Sequence, residues 1–391
     1  MLKTGTMAHF GHLDHATRDR LFLYAPQQFG DESGRDVLAL ALGATLYVPA
    51  NRADLAATIE RRAAEGVSSM VLDLEDAVAD DDVERALTNA VDALDSLAGT
   101  AAANMLLFVR VRDVDSIYRI ADTITAGLDA LTGFVAPKFI AAQGKPFLQA
   151  IDRVSSDLGK HLYVMPVLES VELVHRQSRN TQLHGIAELF SEHRDHVLAV
   201  RVGATDMCST FGIRRDRDLT IYDVRVIADV IADVVNYLGR TDGTGYVITG
   251  PVWEYFADHE RMFRPMLRTT PFAEHDAVRF RAQLVSRDLD GLLREIALDR
   301  ANGLHGKTVI HPSHVAAVHA LSAVTHEEYQ DALDILGNQS GGVQPSEYRN
   351  KMNEIRPHRS WAERIMLRSR VFGVTDSGVT FVELLTALVN R

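Results

Sequence analysis

Short apolar runs recur along residues 44–323, and each is followed by a segment whose apolar residues repeat at helical spacing. A short apolar run between turn residues is typical of a buried strand, and apolar residues at i, i+3 and i+4 are typical of an amphipathic helix. The predicted strands are 44–49, 70–74, 106–111, 133–137, 162–168, 197–203, 246–249 and 307–310. The predicted helices are 51–64, 81–97, 116–128, 146–158, 185–190, 222–238, 277–297 and 313–321. A further helical pattern follows the fifth strand and continues through residue 174.

Eight strand–helix units in succession predict an α/β chain folded as a (β/α)8 barrel, the TIM barrel. An open doubly wound sheet is the alternative, but it rarely needs eight such regular units. Residues 1–43 form an N-terminal extension without this regularity, and the barrel domain spans 44–323. A Gly/Ser/Pro stretch at 340–345 interrupts the remainder, so we expect 324–391 to be a C-terminal helical lid or a subunit-contact arm.

The second predicted strand ends in three carboxylates, Asp73, Glu75 and Asp76. Side chains alternate across a strand, so Asp73 and Glu75 are expected on one face and Asp76 on the other. Open α/β sheets and barrels place their chemistry at the carboxyl ends of their strands. The acids therefore indicate a polar site, unless they form a charged loop that caps the following helix.

Further predicted strands also end in titratable residues. These are Arg110 and Arg112 after the third strand, Lys138 after the fourth, Glu169 after the fifth, Asp206 after the sixth and His311 after the eighth. Each alone could be an ordinary solvated strand end. Together they predict a rim at which acids face arginines, as expected of a site for an anionic substrate and a metal.

Glu169 and Asp206 are expected on neighbouring strands, where their oxygens suit Mg²⁺. A 2-oxo acid would chelate the metal, which acts as a Lewis acid on an oxygen that becomes negative during C–C bond cleavage or formation. Arg110 would place a second positive charge at that oxygen. The alternative is that both acids are salt-bridged to Arg110 and Arg112, with no metal.

The composition limits the cellular compartment and the kinds of partner that we expect for this protein. The net charge of −12 comes without a basic run, which argues against nucleic acid as the main partner. No stretch approaches the ~20 apolar residues of a membrane span, and no secretory signal is recognisable. The single cysteine, Cys208, excludes an internal disulfide and fits a cytoplasmic protein.

These motifs resemble the citrate lyase β-subunit-like family, within the group of metal-dependent aldolases and malyl-CoA lyases. The matching segments are residues 46–51, 72–78, 109–111, 136–138, 168–169, 203–206 and 310–312. The resemblance implies a TIM barrel that splits or joins C–C bonds of 3-hydroxy acyl thioesters, with oxaloacetate, glyoxylate or pyruvate as the 2-oxo acid. It also implies Mg²⁺ as the metal and coenzyme A or a carrier protein as the thioester partner.

The resemblance also implies roles for individual residues. Glu169 and Asp206 would be the metal ligands, and Arg110 the contact to substrate and oxyanion. Glu75 and Asp76 would hold waters of the metal or orient the arginine. Lys138 is a further candidate for substrate binding.

The sequence departs from the family at several points. Ala50 stands where the family has glycine, and Arg112, where the family has asparagine, adds a charge that we assign to substrate binding. A C-terminal aspartate lent by a neighbouring subunit in many members falls on or beside Val382; Glu383 or Asp376 could substitute for it. These departures place the chain nearer a divergent branch described as C–C bond lyases of the TIM-barrel fold.

Two classes of function follow. The first is a Mg²⁺-dependent C–C lyase or aldolase; the second is a non-catalytic, signalling or biosynthetic barrel that kept the metal and anion pocket but lost the C-terminal acid/base. The charged rim favours catalysis, because a structural barrel has no need for buried charge. The apolar face of the tail predicts a homo-oligomer, a trimer or hexamer. Arg261, Arg264 and Arg268 are expected to contact either the carrier phosphates or a neighbouring subunit.

Overall fold

The computed structural model describes residues 5–256, 287–338 and 340–389. The strands are β1 (Phe22–Tyr24), β2 (Ala44–Pro49), β3 (Ser69–Asp73), β4 (Leu106–Arg110), β5 (Leu131–Ala136), β6 (Tyr163–Leu168), β7 (Ala199–Val202), β8 (Val247–Thr249), β9 (Lys307–Val309), β10 (Val343–Pro345), β11 (Met352–Glu354) and β12 (Val374–Thr375). The α-helices before β8 are α1 (His15–Leu21), α2 (Arg35–Ala41), α3 (Leu55–Ala64), α4 (Val83–Ser96), α5 (Val114–Thr123), α6 (Ala141–Leu158), α7 (Val171–Val174), α8 (Arg176–Glu192), α9 (Ala204–Ser209) and α10 (Arg225–Leu238). After β8 come α11 (Arg287–Ala301), α12 (Ser313–Ser322), α13 (His326–Gly337), α14 (Arg359–Phe372) and α15 (Phe381–Val389).

Eight parallel strands form one sheet in the order β8-β7-β6-β5-β4-β3-β2-β9. A parallel bridge between Gly250 and Lys307 joins the two outer strands, so the sheet closes on itself. The predicted TIM barrel is confirmed, and each predicted strand agrees with an observed strand to within two residues at either end. The strands read as apolar runs because helices cover the outer face of the sheet while side chains fill its interior.

Two predicted placements at strand ends are wrong. β3 ends at Asp73, so Glu75 and Asp76 lie in the following loop, where the alternation of side chains no longer applies. β7 ends at Val202, and Asp206 lies in the first turn of α9 rather than on the strand. Of the helix predicted at 277–297, the first ten residues lie outside the described part of the chain.

The N-terminal extension is more regular than predicted. It contains α1, β1 and α2, and β1 pairs with β12 near the other end of the chain, in antiparallel orientation. The His9 ring stacks on Phe372 at 4.2 Å between ring centroids, and its Nε2 donates to the carbonyl oxygen of Ala41 at 3.1 Å. The extension and the tail therefore pack against each other at the amino-terminal end of β2.

The described part of the tail leaves the mouth of its own barrel uncovered. The apolar face of α15, comprising Val382, Leu384, Leu385 and Leu388, is buried against α12 and α1 of the same chain. The expectation that this face packs on a neighbouring subunit is wrong, because the chain itself covers it. The Gly/Ser/Pro stretch enters a hairpin of β10 and β11, and α13 and α14 enclose a small core of their own.

Within the described residues, no helix is both long enough and apolar enough to cross a membrane.

Candidate active site

A cavity of about 530 Å³ opens at the carboxyl ends of the barrel strands. Most of its charged lining residues come from the strand ends that the sequence singled out. The acidic and basic side chains in the lining are Asp73, Asp76, Arg110, Glu169, Arg201 and Asp206. Four of the predicted site residues, Asp76, Arg110, Glu169 and Asp206, are thus brought together in one pocket.

The best-defined interaction in the pocket is a fork between Arg110 and Asp73. The two residues are register partners on β4 and β3. The Nε and Nη2 atoms of Arg110 each donate to one carboxylate oxygen of Asp73 at 2.6 Å. Their side chains are 11% and 3% exposed, so the pair is largely withdrawn from water. Paired, charge-assisted hydrogen bonds of this kind fix the plane of a guanidinium.

Glu75 and Asp76 surround the same guanidinium. Arg110 Nη1 lies 3.0 Å from Glu75 Oε2 and 3.3 Å from Asp76 Oδ2. Lys138 Nζ contacts both acids from the other side, at 3.3 Å in the case of Asp76. Asp73, Glu75 and Asp76 therefore converge on one cation, and the predicted division of these acids between two faces is wrong.

The acids in this cluster differ in proton affinity. Burial raises the pKa of Glu75, and the hydrogen bond with Asp76 adds to the rise. Although burial opposes it, the hydrogen bond with Glu75 and the charges of Arg110 and Lys138 hold the pKa of Asp76 below its ordinary value. Glu75 is thus the member of this pair better suited to carry a proton.

Arg112 points away from the cavity. Its Nε donates to the carbonyl oxygen of Leu74 at 2.8 Å, Nη2 donates to that of Val78 at 2.5 Å, and Nη1 pairs with Asp80. Arg112 therefore closes the loop that carries Glu75 and Asp76. The structure does not place it with the other residues predicted to bind substrate.

Glu169 lies against the backbone of the neighbouring strand end. Its Oε1 accepts the amide N–H of Lys138 at 2.9 Å. A Cβ at Gly203 would stand 1.8 Å from the other carboxylate oxygen, so only glycine leaves room for this side chain. Asp206, half-buried in the first turn of α9, lines the same side of the cavity.

Glu169 and Asp206 have no cation of their own. Burial raises the pKa of Glu169 to about 8, the amide of Lys138 opposes the rise, and Asp206 adds to it. Within the described ranges neither acid takes part in an ion pair, because Arg110 binds the three acids of the second strand end and Arg112 binds Asp80. The alternative of salt bridges to these arginines is therefore wrong, and the pair could hold a divalent cation.

Arg201 is a pocket residue that the sequence analysis missed. It is fully buried inside the barrel on β7, where Nη1 and Nη2 donate to the hydroxyls of Thr45 and Thr308 at 3.3 and 2.5 Å. Its Nε has no hydrogen-bond partner, and no described carboxylate pairs with it. The ring of Tyr47 lies between Arg201 and Arg110, at 5.3 and 5.4 Å from the two guanidinium carbons. In the sequence, a single arginine in the middle of an otherwise apolar strand was the signal that could have identified Arg201 as a site residue.

The C-terminal acids make their contacts elsewhere in the same chain. Glu383 accepts the amide N–H of Thr380 at 2.9 Å at the start of α15. The Asp376 amide donates to the carbonyl oxygen of Leu21, next to the β1–β12 pair. Neither acid lines the cavity of its own barrel. Arg261, Arg264 and Arg268 lie outside the described residues.

The first prediction concerns the Arg110 fork. Arg110→Ala is expected to lower the free energy of unfolding by about 3–5 kcal/mol, because it leaves buried carboxylates without their counter-ion. Denaturant unfolding of Arg110→Ala, Asp73→Ala and the double variant would measure the coupling between the two residues. The matched control is Arg119→Ala, whose exposed pair with Glu84 should leave stability close to wild type. Equal effects of Arg110→Ala and Arg119→Ala would contradict the assignment.

The second prediction concerns Gly203. A methyl group at this position displaces the Glu169 carboxylate, so Gly203→Ala should destabilise the protein by about 1–3 kcal/mol, the usual cost of overpacking. Gly337→Ala is the control, because a Cβ there meets nothing within 4 Å. Thermal unfolding of both variants provides the measurement. A Gly203→Ala protein as stable as Gly337→Ala would mean that Glu169 does not occupy this position.

Comparison with known proteins places this chain in a family. The family model for C–C bond lyases of the TIM-barrel fold matches residues 36–374. No curated protein matches the chain. Solved structures with a similar fold include CitE from Mycobacterium tuberculosis in complex with magnesium, acetoacetate and coenzyme A, at 19% identity and a TM-score of 0.53 over 85% of this chain and 99% of that chain.

Two further structures show the same architecture. A citrate lyase from Burkholderia xenovorans LB400 is 17% identical, with a TM-score of 0.59 over 89% of this chain and 96% of that chain. Haloferax volcanii malate synthase in a lead(II) complex is 14% identical, with a TM-score of 0.50 over 71% and 72% of the two chains. At these identities the likeness shows the fold alone. The family model, however, covers most of the sequence, and the chain belongs to the C–C bond lyase family of the TIM-barrel fold.

Proposed function

We propose that this protein is a Mg²⁺-dependent carbon–carbon lyase or aldolase that acts on a 3-hydroxy acid, as an acyl thioester, with a 2-oxo acid as the second component. The observation that carries the proposal is the separation of charge in one cavity. Among the described residues, Glu169 and Asp206 have no cationic partner on one side of the cavity, and the buried Arg201 has no anionic partner. A metal and an anionic substrate together would satisfy both.

Glu169 and Asp206 would hold the metal. Two carboxylates on rigid elements are what Mg²⁺ commonly takes from a protein, with waters and substrate oxygens as its other ligands. Bound there, Mg²⁺ would supply Lewis-acid stabilisation to the oxygen that becomes negative when the C–C bond breaks or forms. The magnesium in the CitE complex of Mycobacterium tuberculosis supports this choice of metal.

Arg110 and Arg201 would bind the anionic groups of the substrate. The guanidinium of Arg110 is fixed by Asp73, so it needs no reorganisation to stabilise a carboxylate or a developing oxyanion. Arg201 would take a second carboxylate, because its buried guanidinium is bonded to two hydroxyls and the Met165 sulfur and has no carboxylate partner among the described residues. Two such cations favour a dicarboxylic 2-oxo acid such as oxaloacetate over glyoxylate or pyruvate.

The cleavage reaction requires a base and then an acid. The 3-hydroxyl loses its proton, the bond between C2 and C3 breaks, the hydroxyl-bearing carbon becomes the carbonyl of the 2-oxo acid, and the electron pair passes to the enolate of the acyl part. That enolate then takes a proton at carbon. We assign these transfers to Glu75 and Asp76, which both contact Arg110 Nη1. Lys138, which contacts both acids, would be a further cation for the substrate.

A neighbouring subunit could complete the site. Neither Glu383 nor Asp376 lines the cavity of its own chain, and the described part of the tail leaves the mouth uncovered. We therefore propose a homo-oligomer in which a second copy brings one of these acids to the mouth. The coenzyme A in the CitE complex of Mycobacterium tuberculosis supports coenzyme A as the thioester partner of the proposed reaction.

The third prediction concerns the metal. Calorimetric titration should show Mg²⁺ binding to the wild type and little or none to Glu169→Gln or Asp206→Asn, because each removes one of two charged ligands. Glu172→Gln, an exposed acid three residues beyond Glu169, is the matched control and should bind like wild type. Unchanged binding in both ligand variants would refute the assignment.

The pH dependence of that binding follows from Glu169. With a pKa of about 8 in the metal-free protein, this carboxyl is largely protonated at pH 7 and must lose its proton to bind a cation. Apparent Mg²⁺ affinity should therefore fall as the pH drops below 8, by up to about tenfold per pH unit, and level off above it. Titrations in buffers of different ionisation enthalpy would count the released proton; no release at pH 7 would contradict this role.

The fourth prediction concerns Arg201. With Mg²⁺ present, Arg201→Gln should weaken oxaloacetate binding by about tenfold or more, since a hydrogen bond to a charged group contributes about 1.5–3 kcal/mol. Pyruvate, which lacks the second carboxylate, should be affected much less. Arg176→Gln, on an exposed helix start, is the control. Equal losses for the two acids would mean that Arg201 supports the barrel interior and does not recognise the second carboxylate.

An assay of turnover distinguishes the proposed lyase from the alternative, a non-catalytic barrel that binds metal and an anion. A panel of 3-hydroxy acyl thioesters assayed with Mg²⁺ should yield 2-oxo acid from at least one member, and Arg110→Gln should abolish it. Binding of metal and oxaloacetate without turnover of any member would favour the non-catalytic barrel, and the absence of Glu383 and Asp376 from the pocket lining of their own chain would be consistent with it.

A further inference from the structure

A second charged region lies at the opposite end of the barrel from the candidate active site. Two adjoining cavities, of about 360 and 530 Å³, are lined in part by the loops that lead into β7, β8 and β9 and by α14. His305 and Arg364 line both of them. We call the two together the basal cavity.

The basal cavity carries more positive than negative charge. In the first part, Arg35, Arg194, Arg240 and Arg364 face two acids, Asp36 and Glu363. Both acids are engaged: Asp36 pairs with Arg35 at 2.9 Å, and Glu363 lies 3.5 Å from Arg359 on its own helix. This excess of arginine occurs in a chain whose net charge is −12, so it is local to this end of the barrel.

The second part of the cavity repeats the imbalance. Arg300 and Arg368 share one carboxylate, that of Glu328, at 2.8 and 2.6 Å. Burial, together with the charges of Arg364, Arg368 and Arg300, lowers the pKa of His305 to about 3, so this imidazole adds no charge of its own at neutral pH. Positive potential thus extends across both parts.

Arg364 is the central residue of this region. It donates to the carbonyl oxygen of Gly239 at 3.0 Å, and no carboxylate among the described residues pairs with it. Burial lowers its pKa, with no opposing contribution from an acid. A half-buried guanidinium without a counter-ion is costly, and a bound anion would remove that cost.

Two other arginines are held in place before any ligand arrives. Arg194 donates to the carbonyl oxygens of Gly243, Thr244 and Gly245 at 2.7–2.9 Å. Arg194 and Arg35 both lie over the Tyr246 ring, at 4.7 and 5.5 Å from its centroid. Carbonyl and ring contacts orient the Arg194 guanidinium without neutralising it, so its charge is preorganised for an anion, whereas Arg35 is also paired with Asp36.

We propose that the basal cavity binds a small phosphate-bearing anion, a diphosphate or phosphate ester, between the N-terminal extension, the barrel and α14. Several guanidinium groups around one space match the multiple charges and the oxygen geometry of phosphate. The volume is that of a small-molecule site. Since Arg35 belongs to α2, Arg194 and Arg240 to barrel loops and Arg364 to the tail, the ligand would join three parts of the chain.

The test uses the full chain, freed of metal with chelator, and pyrophosphate as the probe. Calorimetric titration should show binding, with a parallel rise in melting temperature. Citrate, which carries comparable charge on carboxylates, should bind distinctly more weakly. Arg364→Gln should lower pyrophosphate affinity by about tenfold or more, since it removes a charged donor. Arg370→Gln, on the same helix and outside the cavity lining, where its side chain contacts Gln27, is the matched control and should bind like wild type.

Other results would overturn the proposal. These are no pyrophosphate binding at millimolar concentration, equal binding of citrate, or binding that is lost in Arg110→Ala but kept in Arg364→Gln, which would locate the anion in the mouth. If Arg364→Gln fails to fold, Arg240→Gln on the exposed loop carries the test, with the same loss expected. Unchanged affinity in that variant would also refute the site.

Discussion

The bidentate contact between Arg110 and Asp73 determines how charge is divided in the barrel mouth. It depends on the register of β3 and β4, which places the two residues side by side at adjacent strand ends. Arg110 forms ion pairs with Asp73, Glu75 and Asp76 and none with Glu169. One set of acids is therefore balanced within the protein, while Glu169 and Asp206 have no cationic partner among the described residues. A pocket in which one group of charges is balanced and another is not suits a metal-assisted reaction on an anion.

The sequence allowed Arg110, Glu169 and Asp206 to be placed together, because parallel strands of a barrel end at one rim and charged strand ends must meet there. Strand alternation did not predict the grouping of Glu75 with Asp76, since alternation holds only while the strand continues. The family resemblance had instead implied that both acids hold waters of the metal or orient the arginine. Arg201 was missed for a different reason: attention to strand ends overlooks a charge in mid-strand. Its burial depends on two hydroxyls from distant strands, which no local pattern shows.

The tail illustrates a further limit. Apolar residues at helical spacing predict that α15 buries one face, but spacing says nothing about the surface that covers it. The pairing of β1 with β12 brings together segments from near the two ends of the chain, and α15 then packs on α12 and α1. Such long-range contacts leave no periodic signal. They direct the described part of the tail to the sides and amino end of the barrel, which leaves the mouth uncovered.

Lys138 links the two halves of the mouth through a single residue. Its backbone adopts φ +48°, a left-handed conformation that an L-residue reaches only at some energetic cost. In that conformation its amide N–H reaches Glu169 while its ammonium contacts Glu75 and Asp76. A shift of Glu169 towards a cation would thus be felt by the acids around Arg110. Thermodynamic reciprocity then requires that whatever protonation of Glu75 does to cation affinity, cation binding does in equal measure to the proton affinity of Glu75.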